Sequence, residues 1–169
     1  MNYSGIITDD IANGIGIRTS LFVSGCRNNC PGCFNKEQHN FNYGELFTED
    51  TIKYIIDSVN DNYHDGITIL GGDPMEPENA TEVLKLVNIF RDKFGYSKNI
   101  WIYTGYLFEN IDKFNDDRRK LMYSADILVD GPFVQDLKDI RLKFRGSSNQ
   151  RIINIKATIN NNNIPVIIE

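Results

Sequence analysis

Cys26, Cys30 and Cys33 are all the thiols in the chain, and they fall within one short stretch, Cys26-Arg27-Asn28-Asn29-Cys30-Pro31-Gly32-Cys33. Pairing two of them would close a tiny loop and strand the third, so a disulfide framework is a poor reading and a reducing compartment a better one. Three chemistries remain open. Thiols can be buried simply as small apolar groups, although a loop rich in Gly and Asn is an unusual place for that. They can bind zinc, with His39 or a water as fourth ligand, although zinc sites favour short-spaced pairs separated by a longer gap. Or they can hold an iron–sulfur cubane, in which three thiolates leave one iron open. Such a cluster carries about one negative charge. It would attract a cationic ligand that also chelates through an amine and a carboxylate, and S-adenosylmethionine has all of these groups.

The elements that must position this loop follow from the apolar pattern. Residues 1–17 read as a strand or arm followed by a loop. Leu21-Phe22-Val23 is a short continuous apolar run of the kind found in buried strands, so the cysteines hang from a strand's C-terminal end. Residues 34–47 are polar and irregular. Thr48 then reads as an N-cap, and Ile52, Ile55, Ile56 and Val59 recur at helical spacing. A second strand, Ile67-Thr68-Ile69-Leu70, runs into Gly71-Gly72-Asp73-Pro74. The next helix is predicted to start near Asn79 with Glu82 completing a capping box, and to stop at Gly95. Ile100-Trp101-Ile102-Tyr103 is a third strand, a less regular helical stretch covers 107–123, and Ile127-Leu128-Val129 is a fourth strand. Repeated strand–loop–helix units predict an α/β fold with a parallel sheet, right-handed crossovers and ligands at the strands' C-terminal edge. Four units are too few for a closed eight-stranded barrel, so a partial, open one is expected. After a polar loop, residues 152–159 and 164–168 flank Asn160-Asn161-Asn162-Asn163 and predict a C-terminal β-hairpin.

Composition narrows the function classes. The chain has 169 residues, enough for one domain (a core of about 1–150 and an extension over 151–169) to bury a core without disulfides. A net charge of −5 offers no general basic field for nucleic acid or an anionic membrane. The apolar runs are too short for a transmembrane helix, and no basic stretch leading into an apolar one predicts a signal peptide. The cytoplasm is the expected compartment. His39 and His64 sit in polar stretches and are expected to be solvated, so no Cys–His nucleophile is indicated.

The C-x3-C-x2-C loop after the first strand resembles the signature of the radical S-adenosylmethionine enzymes, and other motifs narrow the resemblance. Asn13-Gly14, Leu21-Phe22-Val23-Ser24-Gly25-Cys26 and Pro31-Gly32-Cys33-Phe34-Asn35 resemble the anaerobic ribonucleoside-triphosphate reductase-activating proteins. So do Gly71-Gly72-Asp73-Pro74, Trp101-Ile102-Tyr103-Thr104-Gly105-Tyr106, Val129-Asp130-Gly131, Phe133-Val134-Gln135-Asp136-Leu137-Lys138-Asp139 and Arg145-Gly146-Ser147-Ser148-Asn149-Gln150. The wider superfamily usually has an aromatic residue just before the last cysteine. This chain has Gly32 there and Phe34 just after, an arrangement the activating proteins share. No motif of the family is recognised beyond Gln150, so the tail is expected to be an extension.

The resemblance implies an oxidoreductase with a partial (β/α) barrel of the radical S-adenosylmethionine type. Cys26, Cys30 and Cys33 would ligate three irons of a [4Fe-4S] cluster, and S-adenosylmethionine would bind the fourth. The 5′-deoxyadenosyl radical from its reductive cleavage would take a Cα hydrogen from a glycine of the reductase. The backbone of Gly32, Cys33 and Phe34 would lie against the adenine, with Phe34 adding a ring face or serving only as a core aromatic. Glycines let a backbone approach a ligand closely. Gly71, Gly72 and Asp73 are therefore candidates for the methionine amine, against the alternative of an ordinary turn. Thr104 is a candidate for the ribose or carboxylate, or for strand-end capping. Asp130 is a candidate for the cavity wall or partner contact, or for strand-end capping, and residues 145–150 for the mouth or the partner surface. A low-potential donor such as reduced flavodoxin, the large reductase subunit and a homodimer are the implied partners. Other glycyl-radical activases, small-molecule radical enzymes and a zinc-stabilised binding module are the competing readings.

Overall fold

Alternation along the strands sorts their side chains onto two faces, and both faces are covered at the sheet's centre. The computed structural model describes residues 1–168. The expected strands are β2 (Ile17–Val23), β4 (His64–Gly71), β5 (Asn99–Tyr103) and β6 (Ile127–Asp130), and they run parallel in that order. Three antiparallel strands extend the sheet: β1 (Asn2–Asp10) beside β2, the short β3 (Glu45–Leu46) beside β1, and β7 (Arg151–Asn154) beside β6. The order β3-β1-β2-β4-β5-β6-β7 ends on two different edges, so the sheet is open. This is a mixed α/β architecture.

On one face Leu21, Val23, Ile67, Ile69, Ile100, Ile102 and Leu128 form a continuous core with the helices. Those helices are α1 (Glu49–Ser58), α2 (Pro77–Phe94), the short α3 (Phe108–Ile111) and α4 (Asp117–Ser124). Each fully buried aliphatic or Phe side chain contributes about 1.5–3 kcal/mol to this layer. The other face has a smaller cluster of Trp101, Ile127, Val129 and Ile152, covered by Phe144 and Ile168. Beside it Arg18 is completely buried. Its guanidinium donates to Thr68 Oγ1 (2.7 Å) and to the carbonyls of Ile67 (2.6 Å), Asn99 (3.2 Å) and Ile15 (3.0 Å). A charge is tolerated there because its donors are met.

Three expectations need correction. Helix α2 starts at Pro77, with Glu76 at the N-cap and no side-chain cap bond, rather than at Asn79. The 107–123 stretch divides into α3 and α4, the second opened by Asp116, whose carboxylate accepts from Arg118 N at 3.0 Å. The C-terminal hairpin has only one short extended arm. Asn154 Oδ1 accepts from Ala157 N at 2.8 Å and starts α5 (Ile155–Asn160), because a capping side chain outcompetes the β preference of the isoleucines. The chain still returns antiparallel, with Asn154 N donating to Val166 O (2.9 Å) and Ile168 N to Ile152 O (2.8 Å). The tail thus belongs to the same sheet.

Candidate metal and cofactor site

Strand β2 delivers the cysteine loop, and the returning chain fastens its base. Gly25 N donates to Gln38 O (2.7 Å) and Cys26 N to His39 O (3.3 Å). Cys33 N donates to Cys30 O at 3.1 Å, closing a turn with Pro31 and Gly32 at its centre. Gly32 has φ +72°, the left-handed conformation that a type II turn demands after proline. A Cβ there would also stand 1.7 Å from Gln135 Oε1. The three thiols are free and half-buried, and all three line one open cavity. Burial, with Asp73 adding its charge, pushes Cys26 up to about 11, and burial raises Cys30 as well. Both are neutral thiols at pH 7 until a cation draws off the proton.

The second wall is the end of β4. Gly72 N donates to Val23 O (2.7 Å) and Asp73 N to Gly25 O (2.8 Å), so this loop runs directly against the one after β2. A Cβ on Gly72 would meet Gly25 O at 2.6 Å, and the close approach needs glycine. Asp73 is fully buried, and its carboxylate accepts four hydrogen bonds. Met75 N (2.9 Å) and Thr104 Oγ1 (2.8 Å) donate to Oδ1, and Asn28 Nδ2 (3.0 Å) and Gly105 N (3.0 Å) to Oδ2. Desolvation still pushes its carboxyl up to about 6. Thr104 Oγ1 donates to Asp73 and accepts from Tyr106 N at 3.1 Å. Both side chains therefore tie strand ends together. What this wall offers a ligand is chiefly backbone.

Two residues that sequence reasoning missed hold the walls together. Glu76 is buried, and its carboxylate accepts from Arg27 N (2.7 Å) and Arg27 Nη1 (2.6 Å). Arg27 also pairs with Glu78 and lies over the Phe41 ring, 4.5 Å from its centroid. Asn79, equally buried, donates through Nδ2 to Asp73 O (2.9 Å), Ser24 O (3.0 Å) and Gly25 O (3.4 Å). The first turn of α2 is thus bonded to both loops at once.

The far wall comes from residues 131–150. Phe133, Gly146 and Gln150 line the cavity. Gln150 Oε1 accepts from Gly146 N (2.9 Å) and Ser147 N (3.2 Å), while its Nε2 donates to Gly131 O (3.0 Å). Phe34 lines the cavity but is 69% exposed, so it is a rim residue and not a core aromatic. Its ring centroid lies 5.7 Å from that of Phe133. Asp130 lies outside the cavity lining: it is fully buried and accepts from Phe108 N (2.8 Å) and Arg151 Nε (2.9 Å), which makes it a strand-end staple. His39 reaches the cavity. His64, expected to be solvated, is buried at the start of β4 with Nδ1 2.6 Å from Asp61 Oδ2.

One cavity therefore brings together Cys26, Cys30, Cys33, Phe34, Gly71, Gly72, Asp73 and Thr104, eight of the nine expected site residues. Gly32 shapes the turn behind it. Among the described residues no three His, Cys, Asp or Glu side chains converge closely enough to hold a single ion. Three thiols on one cavity match a cluster whose irons each take one thiolate.

Comparison with known proteins agrees with this chemistry. A family model described as a 4Fe-4S single cluster domain matches residues 12–153. Curated relatives named anaerobic ribonucleoside-triphosphate reductase-activating protein span nearly the whole chain. The Escherichia coli (strain K12) protein is 43% identical over 158 residues, covering 92% of this chain and 100% of its own. The Enterobacteria phage T4 protein is 38% identical over 152 residues (90% and 93%), and that of Haemophilus influenzae 37% over 158 residues (92% and 99%).

Proposed function

The chain belongs to the anaerobic ribonucleoside-triphosphate reductase-activating proteins, and from that premise we propose that it is a radical S-adenosylmethionine enzyme that installs a glycyl radical on that reductase. The observation that carries the reading is the cavity in which three free thiols face the Gly71-Gly72 backbone. Cys26, Cys30 and Cys33 would hold a [4Fe-4S] cluster. When bound, the cluster and S-adenosylmethionine supply a reductively generated 5′-deoxyadenosyl radical, which abstracts a glycine Cα hydrogen.

The chain's own residues position and shield. The Gly71 and Gly72 backbone would receive the methionine end. Asp73 keeps that backbone aimed through its bonds to Met75, Gly105, Thr104 and Asn28, rather than offering a free oxygen. The Cys33 and Phe34 segment would lie against the adenine, and Phe133 beside Phe34 gives that side of the cavity an apolar rim. The open sheet edge of a partial barrel leaves lateral room for a polypeptide. A low-potential donor such as flavodoxin, a homodimer and a cytoplasmic location complete the reading.

Anaerobic purification with iron, sulfide and zinc analysis tests the cofactor. About four irons and four sulfides per chain support it, and about one zinc without sulfide overturns it in favour of a binding module. The triple Cys→Ala variant should lose all iron and all cofactor cleavage, with the apo-protein's thermal stability little changed because the thiols lie outside the core. Anaerobic incubation of the reconstituted protein with S-adenosylmethionine, a reductant and the cognate reductase should give an organic-radical EPR signal. Accumulation of 5′-deoxyadenosine without that signal points instead to another radical substrate.

A further inference from the structure

We propose that the loop over residues 137–144, beside the cavity mouth, is the surface on which an acidic and apolar segment of the reductase docks; this rests on the function proposed above. The loop is closed at its base. Ser148 N donates to Leu137 O (2.9 Å), Lys138 pairs with Ser147 in an antiparallel bridge, and Phe144 packs edge-on against Trp101 with centroids 5.5 Å apart. The tip is therefore presented on a fixed stem. It carries Ile140 at 91% exposure and Leu137 at 43%. Lys138 Nζ lies 4.6 Å above the ring of Phe34, itself an exposed cavity-lining residue, so the base of the loop reaches the rim of the cavity.

Charge selects the partner. The chain carries −5 overall, yet the loop with both sides of its stem, residues 136–145, holds Lys138, Arg141, Lys143 and Arg145 against Asp136 and Asp139. Asp139 is taken by Arg141 at 2.8 Å, and among the described residues Lys138, Lys143 and Arg145 have no carboxylate partner. Exposed aliphatic side chains flanked by unpaired cations suit a polypeptide with apolar and acidic residues. Nucleic acid would need a broader basic field than one loop on an acidic protein. The placement matters mechanistically. A segment held on this loop lies beside the rim over which a glycine-bearing chain must pass.

The test uses the reconstituted holoprotein and the full reductase, with Ile140→Asp, Lys143→Glu and the double variant. Both side chains are exposed, so melting should not change. The double variant should raise the dissociation constant for the reductase, and the reductase concentration giving half-maximal glycyl radical, by about tenfold or more. Wild-type affinity should fall with added salt, and that of Lys143→Glu should fall less. Reductant-driven cofactor cleavage without reductase should be the same in all. Binding of the double variant within about twofold of wild type overturns the docking inference and leaves the function standing. Wild-type protein that cleaves the cofactor, yet neither binds the reductase nor produces its radical, overturns the function and the docking surface with it.

Discussion

Helices α1 and α2 both begin on the side of the sheet where the β2 loop carries the cysteines, yet they begin in different ways. Helix α1 is self-contained: the Thr48 hydroxyl accepts from Thr51 N, and the Thr51 hydroxyl accepts from Thr48 N. Helix α2 starts on a proline, which has no N–H to satisfy, and its N-cap residue makes no cap bond. Glu76 and Asn79 turn outward to the cysteine loop and the Gly71-Gly72-Asp73 loop. One helix start serves its helix. The other joins two loops that must face each other across a cavity, and its capping capacity is diverted to that end.

Breaking the diverted helix start should have the largest effect. Asn79→Ala removes the donor from three buried carbonyls, and the apo-protein should lose about 3 kcal/mol in chemical denaturation. The same change should speed the loss of iron from the reconstituted protein to a chelator, because the base of the cysteine loop is no longer held against the end of β4. Denaturation and iron release must move together. If stability falls while iron release keeps its wild-type rate, Asn79 serves only packing.

A smaller effect should separate the loops' electrostatics from their hydrogen bonds. The Asp73 carboxyl is raised by burial from 3.8 to about 6, so it holds its proton more tightly in the folded apo-protein than in the unfolded chain. Its contribution is fully present below the unfolded value and is lost as pH rises through about 6. The expected loss between pH 4 and pH 7 is about 2 kcal/mol. Other carboxylates titrate in the same range, so the measurement is the difference between wild type and Asp73→Asn in denaturation at several pH values. Parallel curves would mean that the four donors hold Asp73 ionised throughout.

The same contrast marks what could be read from sequence. The cysteine turn was legible because Pro31, Gly32 and the thiol spacing impose one local geometry. Gly71 and Gly72 were legible because close backbone approach demands glycine. The α2 clamp was not. Asn79 and Glu82 fit a capping box, and only Pro77 hinted that the helix begins earlier. Nothing local reveals that an asparagine side chain will be drawn to carbonyls distant in sequence. Sequence narrows Thr104 only to ligand contact or strand-end capping, and Asp130 only to cavity wall, partner contact or strand-end capping; the structure shows both side chains engaged within the protein. His64 departs from expectation for a similar reason: its polar neighbourhood in sequence folds into a buried pair with Asp61. In the tail, four isoleucines over residues 152–159 favoured a strand, but the Asn154 cap converts the second half to helix.

The smallest effect belongs to the self-contained helix start. Thr48→Ala removes one side of the capping box, and such caps are worth about 1 kcal/mol. The bond from Thr51 N is long, at 3.4 Å, which places the expected loss at or below that figure. Ile52, Ile55 and Ile56 remain buried against the sheet and keep the helix docked without its cap. Because Thr48 donates to neither ligand-bearing loop, iron release from the reconstituted protein should match wild type even though the melting temperature drops slightly. Iron release that rises as it does in Asn79→Ala would show that global loosening, and not the specific bonds of α2, governs retention of the cluster, and the contrast between the two helix starts would then lose its functional meaning.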